Sequence, residues 1–234
     1  MPIEPTPAPS PNFDARAPGA AIDILLIHYT GMPDAEGALG RLRDPEAHVS
    51  THYLIDEAGG IFALVAEEAR AWHAGVSFWA GETDINSRSI GIELVNPGHE
   101  FGYRDFPGPQ MAALIGLSRA ILSRHPIPPA RVLGHSDVAP ARKQDPGERF
   151  DWARLAASGI GLYPPPDLAP EDPPGWDAFA DALAHYGYGI GGAGGAAPAV
   201  TAFRRHFHPE RLDGSPDGQD AARIDWLNAA ARGG

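Results

Sequence analysis

Ile22-Asp23-Ile24-Leu25-Leu26-Ile27-His28 is the stretch whose reading decides the fold. It is a nearly continuous apolar run of strand length, β-branched in part, and suits a strand covered on both faces of a sheet. It delivers His28 at its C-terminal end. Downstream, Ala35 to Arg43 has the pattern of a short helix. His52-Tyr53-Leu54-Ile55 and Ile61-Phe62-Ala63-Leu64-Val65 flank Asp56-Glu57-Ala58-Gly59-Gly60, the punctuation of a hairpin. Ile90-Gly91-Ile92-Glu93-Leu94-Val95 reads as another strand, with one carboxylate in its middle. From Pro109 the spacing of Met111, Leu114, Ile115, Ser118, Ile121 and Leu122 follows one face of a helix that Pro126 stops. Val132-Leu133-Gly134 then forms a short strand ending in His135. Strands and helices alternate, which predicts an α/β domain with a central mixed sheet flanked by helices.

The 234 residues suffice for one catalytic domain of about 150 residues and a small companion. With 43% hydrophobic and 21% charged residues the composition is globular. Pro and Gly concentrate in the first twenty residues, around 163–175 and around 189–198, marking tails and joints. The expected organisation is an extended arm over 1–20, a catalytic domain over 21–165 able to fold alone, a proline-rich linker over 166–175, and an all-α three-helix domain over 176–232. The helix faces of that last domain are Trp176, Phe179, Ala180 and Leu183; Val200, Phe203 and Phe207; and Ala221, Ile224 and Leu227. The glycine-rich strip Gly187 to Gly195 between the first two faces reads as a loop.

A formal charge of −12 with no dense Lys/Arg cluster excludes nucleic acid as a partner. No run approaches the roughly 20 apolar residues of a transmembrane helix, and MPIEPTPAPSPN lacks the pattern of a secretory leader. The expected location is cytoplasmic, or periplasmic if a leader has been removed. With no cysteine, any metal must be held by His and carboxylates.

Three such donors stand at strand ends or in the loop just after: His28, His135 and Asp145. Two imidazoles and one carboxylate match the three protein ligands of a catalytic zinc, which keeps a fourth position for water. Around them lie His28-Tyr29-Thr30, Ser50-Thr51-His52-Tyr53, Ala71-Trp72-His73-Ala74-Gly75, Ser89-Ile90-Gly91-Ile92-Glu93, Gly134-His135-Ser136-Asp137-Val138-Ala139-Pro140-Ala141-Arg142-Lys143 and Asp145-Pro146-Gly147. In this order, over about 21–165, the motifs resemble the zinc-dependent N-acetylmuramoyl-L-alanine amidases of the AmpD and AmiD type. The resemblance implies Zn²⁺ on His28, His135 and Asp145, catalytic roles for Glu93 and Lys143, and His52, Tyr53, Trp72, His73 and Asn86 near the substrate. The implied substrates are peptidoglycan fragments, including 1,6-anhydro muropeptides. Asn86-Ser87-Arg88 departs from the Asn-Asp that recycling enzymes commonly carry before the Ser-Ile-Gly-Ile-Glu motif. The segments Ala184-His185-Tyr186-Gly187-Tyr188 and Ala202-Phe203-Arg204-Arg205-His206-Phe207 resemble the three-helix peptidoglycan-binding-like domain that follows such catalytic domains.

The chemistry of the residues agrees. One anionic and two neutral ligands leave zinc a net positive charge, enough to bring bound water toward a pKa of about 7. Glu93 can take a proton and pass it to the leaving amine. Lys143 lies two residues before Asp145, so in an extended segment both side chains point the same way and the ammonium can meet a developing oxyanion. A peptidoglycan-recognition module without turnover is the alternative, and joint retention of the three donors with Glu93 and Lys143 speaks against it. The absence of a His-Glu-x-x-His helix disfavours a zinc peptidase.

Overall fold

The structure, a computed structural model, describes residues 4–191 and 194–233. Residues 1–3 of the arm, and Gly192 and Ala193 of the glycine-rich strip, lie outside the described residues. The chain divides into two compact units, residues 1–75 with 84–127, and residues 76–83 with 128–234.

In the first unit the chain runs β1 (Thr6–Pro7), β2 (Phe13–Ala15), β3 (Ile24–Tyr29), α1 (Ala35–Arg43), β4 (Tyr53–Ile55), β5 (Ile61–Ala63), β6 (Ala69–Ala71), α2 (Ile85–Arg88), β7 (Ser89–Leu94), α3 (Gly98–Phe101) and α4 (Gly108–Arg124). Five of its strands lie in the order β1-β5-β4-β7-β3. β3 pairs with β7, β7 with β4 and β1 with β5 in parallel, while the β4–β5 hairpin is antiparallel. The sheet is therefore mixed, as expected. In β3, Ile24, Leu25, Leu26 and Ile27 are all fully buried, which explains a run without polar alternation. α1 begins where Asp34 accepts from the Gly37 amide and contributes Ala38 and Leu42 to a core with Leu54, Leu64, Val65 and Val95. α4 buries Met111, Leu114, Leu117, Ser118 and Ile121, and Gln110 on the same helix donates to the Ile55 and Val95 carbonyls.

The arm is extended, but it is also paired, which its prolines conceal. β1 adds to the sheet edge, Ala8 and Ser10 continue onto the Ala63 and Leu64 carbonyls, and β2 pairs antiparallel with β6. Asn12 donates to the Asp44 and Val49 carbonyls. Arg16 donates to the carbonyls of Glu67, Asn86, Ser87 and Ser89 and contacts the His52 ring.

In the second unit, β8 (Val132–Gly134) leads into α5 (His135–Val138), followed by α6 (Trp152–Ala157), α7 (Trp176–Tyr186), α8 (Ala197–Phe207) and α9 (Gly218–Gly233). The helical C-terminal region is as read from the sequence, and Phe179, Leu183, Val200, Phe203, Phe207, Ala221, Ile224 and Leu227 are buried. Trp176 is not part of that core, being 42% exposed. The core extends to residues earlier in the chain: Trp79 meets Tyr186 and Tyr188 edge-on, Ala80 donates to the Gly187 carbonyl, and the Trp152 ring stacks on His206. Gly187 has φ +138°, and a Cβ there would stand 2.7 Å from the Trp79 ring. Arg204, wholly buried, is held by both oxygens of Asp220 and by the carbonyls of Asp213, Gly214 and Ser215.

Candidate functional site

Of the residues singled out from the sequence, the first unit holds His28, His52, Tyr53, Trp72, His73, Asn86 and Glu93. β3 and β7 are in register at His28 and Glu93, and parallel partners project to the same side of a sheet. The same alternation puts Gly91 on that side, and the missing side chain has a purpose. A Cβ on Gly91 would stand 2.7 Å from the His73 ring, so the imidazole occupies the notch the glycine leaves. There His73 Nδ1 lies 3.0 Å from His28 Nε2, and His73 Nε2 is 3.3 Å from the Ser89 hydroxyl, which donates to the Ile85 carbonyl. The Asn86 side-chain oxygen accepts from the His73 and Ala74 amides and fixes the turn that carries the ring.

A third imidazole, His52, continues the row, its ring centre 5.6 Å from that of His73. It is fully buried, accepts from the Gly91 amide at Nδ1 and meets Arg16 and the Ala69 carbonyl at Nε2. Burial, then the Arg16 guanidinium, push its pKa down to about 3, so the ring is neutral at ordinary pH. Both of its ring nitrogens are thus engaged within the fold. Tyr53 donates to Glu67, itself bound by Arg124 and His125, so its hydroxyl also serves the fold. Trp72 is half-buried, its amide held by Ser50.

The second unit holds His135, Lys143 and Asp145. Gly134 precedes His135 because Pro146 approaches within 2.7 Å of where its Cβ would be. His135 is the first residue of α5, and its Nδ1 lies 3.0 Å from Asp145 Oδ2; the Ser136 amide donates to the Asp145 carbonyl. Both residues are buried, at 3% and 6% exposure. Lys143 is half-buried, its amide closing a turn onto the Ala139 carbonyl. Sequence reasoning passed over Asp137, which is fully buried and accepts from the Gly134 amide, the Tyr188 hydroxyl and the His206 ring, each at 2.7 Å. An acid three residues after a helix N-cap is the signal that could have found it.

Among the described residues, two groups of His and carboxylate side chains could hold a metal ion: His28 with His135 and Asp145, and His208 with Asp217 and Asp220. In the second group the Arg204 guanidinium already binds Asp220, and Arg211 binds Asp217, so two fixed cations oppose a third. The first group offers two imidazoles and one carboxylate, all buried, the donor chemistry that suits zinc.

Residues 18–148 match the family model described as N-acetylmuramoyl-L-alanine amidase. AmiD of Escherichia coli (strain K12) is 36% identical over 91% of this chain and 84% of its own length. A structure of the E. coli AmiD amidase with anhydro-N-acetylmuramic acid-L-Ala-D-gamma-Glu-L-Lys superposes with a TM-score of 0.81 at 35% identity, covering 91% of each chain. AmpDh3 from Pseudomonas aeruginosa, in complex with an anhydromuramic pentapeptide, gives 0.79 at 34% identity over 94% of this chain and 96% of that one. The 1,6-anhydro-N-acetylmuramyl-L-alanine amidase AmpD of E. coli is 37% identical over 63% of this chain and 87% of its own.

Proposed function

Because the chain belongs to the N-acetylmuramoyl-L-alanine amidase family, we propose that it hydrolyses the amide between the lactyl group of N-acetylmuramic acid and L-alanine in muropeptides, with zinc on His28, His135 and Asp145. The observation that carries this reading is the register of His28 with Glu93 across β3 and β7. It sets a non-ligating carboxylate on the same side of the sheet as a buried ligand, where a general base is wanted. The AmiD and AmpDh3 structures hold anhydromuramyl peptides, and muropeptides of that kind, including the 1,6-anhydro form, are the substrates proposed.

When bound, the ion supplies Lewis acidity that makes water a nucleophile at neutral pH. Glu93 accepts the proton of the attacking water and returns it to the nitrogen of L-alanine as the carbon–nitrogen bond breaks. The products are the muramyl carboxylate and a free peptide amine. Lys143 donates to the carbonyl oxygen as it gains charge in the tetrahedral stage, a contribution of about 3 kcal/mol for one such donor. The His73 ring holds His28 by its Nε2 and so fixes the orientation in which His28 presents its other nitrogen.

The test is to incubate the pure protein separately with anhydro-muropeptides and with intact sacculi, weigh the products by mass spectrometry, and assay metal in His28→Ala, His135→Ala and Asp145→Ala. Release of alanine-linked peptide together with loss of zinc in each variant is expected. Binding of fragments without release would make the chain a recognition module, and a variant retaining full zinc would remove that residue from the ligand set.

A further inference from the structure

α5 has only four residues, too few for a helix to hold its own position, yet it carries His135 and receives the Asp145 carbonyl on the Ser136 amide. Its third residue, Asp137, is a wholly buried carboxylate with both oxygens engaged. One oxygen caps the Gly134 amide within the turn. The other contacts come from far along the chain: the Tyr188 hydroxyl, just beyond α7, and His206 Nδ1, on α8. Both partners are fixed in turn. Burial, then Asp137 itself, push the Tyr188 phenol well above its usual pKa of 10, which keeps it a donor, and its ring packs edge-on against Trp79. The His206 ring stacks on Trp152 and on Phe207, with ring centres 3.7 Å apart in each pair.

We infer that Asp137 is a positioning residue for the metal ligands, and that Tyr188 and His206 of the C-terminal helical region act through it to set His135 and Asp145. The region is thereby a working part of the metal site and not solely a glycan-binding attachment. A buried carboxylate must find donors wherever it lies, and a core of this size offers many apolar alternatives. Here all its donors converge on the turn that begins with His135. Loss of one donor shifts that turn, and metal sites are sensitive to such shifts because ligand geometry is fixed by the groups behind the ligands.

The inference rests on the zinc site proposed above, and the experiment separates the two. Zinc affinity of the full chain is measured by competition with a chromophoric chelator, alongside thermal unfolding of the metal-free protein, for the parent, Tyr188→Phe, His206→Leu, His206→Asn and Phe179→Leu. Tyr188→Phe and His206→Leu are expected to weaken zinc binding about 10-fold or more. His206→Asn keeps a side-chain N–H near the position of Nδ1 and is expected to restore affinity to within about twofold to threefold of the parent, by the retained hydrogen bond. Phe179→Leu loosens the α7–α8 core without touching Asp137, and should lower the unfolding temperature while leaving zinc affinity at the parent value. Parent-like affinity in Tyr188→Phe, equal losses in the two His206 variants, or a loss in Phe179→Leu matching its loss of stability would overturn the positioning role. A parent that binds no zinc would overturn the metal site and this inference with it.

Discussion

Apart from Glu67 and its donors in the first unit, the two units bury polar side chains of different kinds. The first gathers imidazole rings: His28, His73 and His52 stand in a row against the Gly91 notch, tied to one another, to Ser89, to the Gly91 amide and Ala69 carbonyl, and to the arm's Arg16. The second buries ionisable carboxylates and surrounds each with donors: Asp137 with Tyr188 and His206, and Asp220 with Arg204 and His208. A buried neutral ring such as His52 is opened by a proton. A buried carboxylate such as Asp220 tolerates mild acid but fails when one partner is lost. Glu93 lies in the first unit and Lys143 in the second.

Ending the chain after Pro166 tests the second unit most severely. The sequence favours an independent domain before that point, but the cut removes Tyr186, Tyr188 and His206 from Trp79, Asp137 and Trp152. The expected product is insoluble or lacks a cooperative unfolding transition; a soluble fragment with parent-like zinc affinity would show that residues 128–166 need no helical partner. Glu93→Gln should keep zinc and lose about 10²–10⁴ in rate, since the amide has the shape of the acid without its basicity. Lys143→Ala should lose about 10²–10³ with zinc retained. Metal content and peptide release from one anhydro-muropeptide read both, and lost zinc in Glu93→Gln would make Glu93 a ligand.

Arg204→Met leaves Asp220 buried without its guanidinium and is expected to cost about 3–5 kcal/mol in denaturant unfolding. A cost below about 1 kcal/mol, the range of surface pairs, would mean that His208 and the Asp217 amide satisfy the carboxylate.

Acid should divide the units. His52 takes up a proton only at about pH 3 when folded, against 6.5 for the free ring, so the unfolded chain binds the extra proton and stability falls as pH drops below about 6.5. By pH 4 the loss is about 3 kcal/mol, at 1.36 kcal/mol per pH unit. Burial alone would raise the pKa of Asp220, but His208 and Arg204 outweigh it and hold it at about 2, so its contribution persists above about pH 4 and is lost on the way down to 2. Amide exchange at pH 5 should therefore rise in β4 and β7 before it rises in α8 and α9; the reverse order would break the comparison. Gly91→Ala, the smallest change, forces the His73 ring out of its notch, and overpacking of this kind costs about 1–3 kcal/mol. Unchanged thermal stability and zinc affinity would show that His73 can move without consequence for His28.

The mixed sheet was legible because β3 is a continuous apolar run buried on both faces, and β7 sets Ile90, Ile92 and Leu94 at the two-residue spacing of a strand. The helix faces from Phe179, Val200 and Ala221 onward were legible because 3.6-residue periodicity survives in short amphipathic helices. β1, β2 and β6 were not: they are two or three residues long, and two of them lie in a proline-rich arm whose partners are 54 or more residues away. Composition recorded the arm as extended and had no means of saying that Arg16 would enter the His52 network.

The sequence alone determined the donor types, the order in which they occur, and the strand ends that carry His28 and His135, because residue identity and local periodicity are properties of short segments. Only the tertiary structure decided which imidazole does which work. His52 and His73 are both motif histidines, yet one is sealed by Arg16 and Gly91 and the other touches His28. Tertiary structure likewise decided that Asp137 would be held by Tyr188 and His206, 51 and 69 positions later. The physical reason is that a buried polar group must be satisfied by whatever the fold brings within about 3 Å, and that distance is set by chain closure across the whole molecule and not by spacing along it.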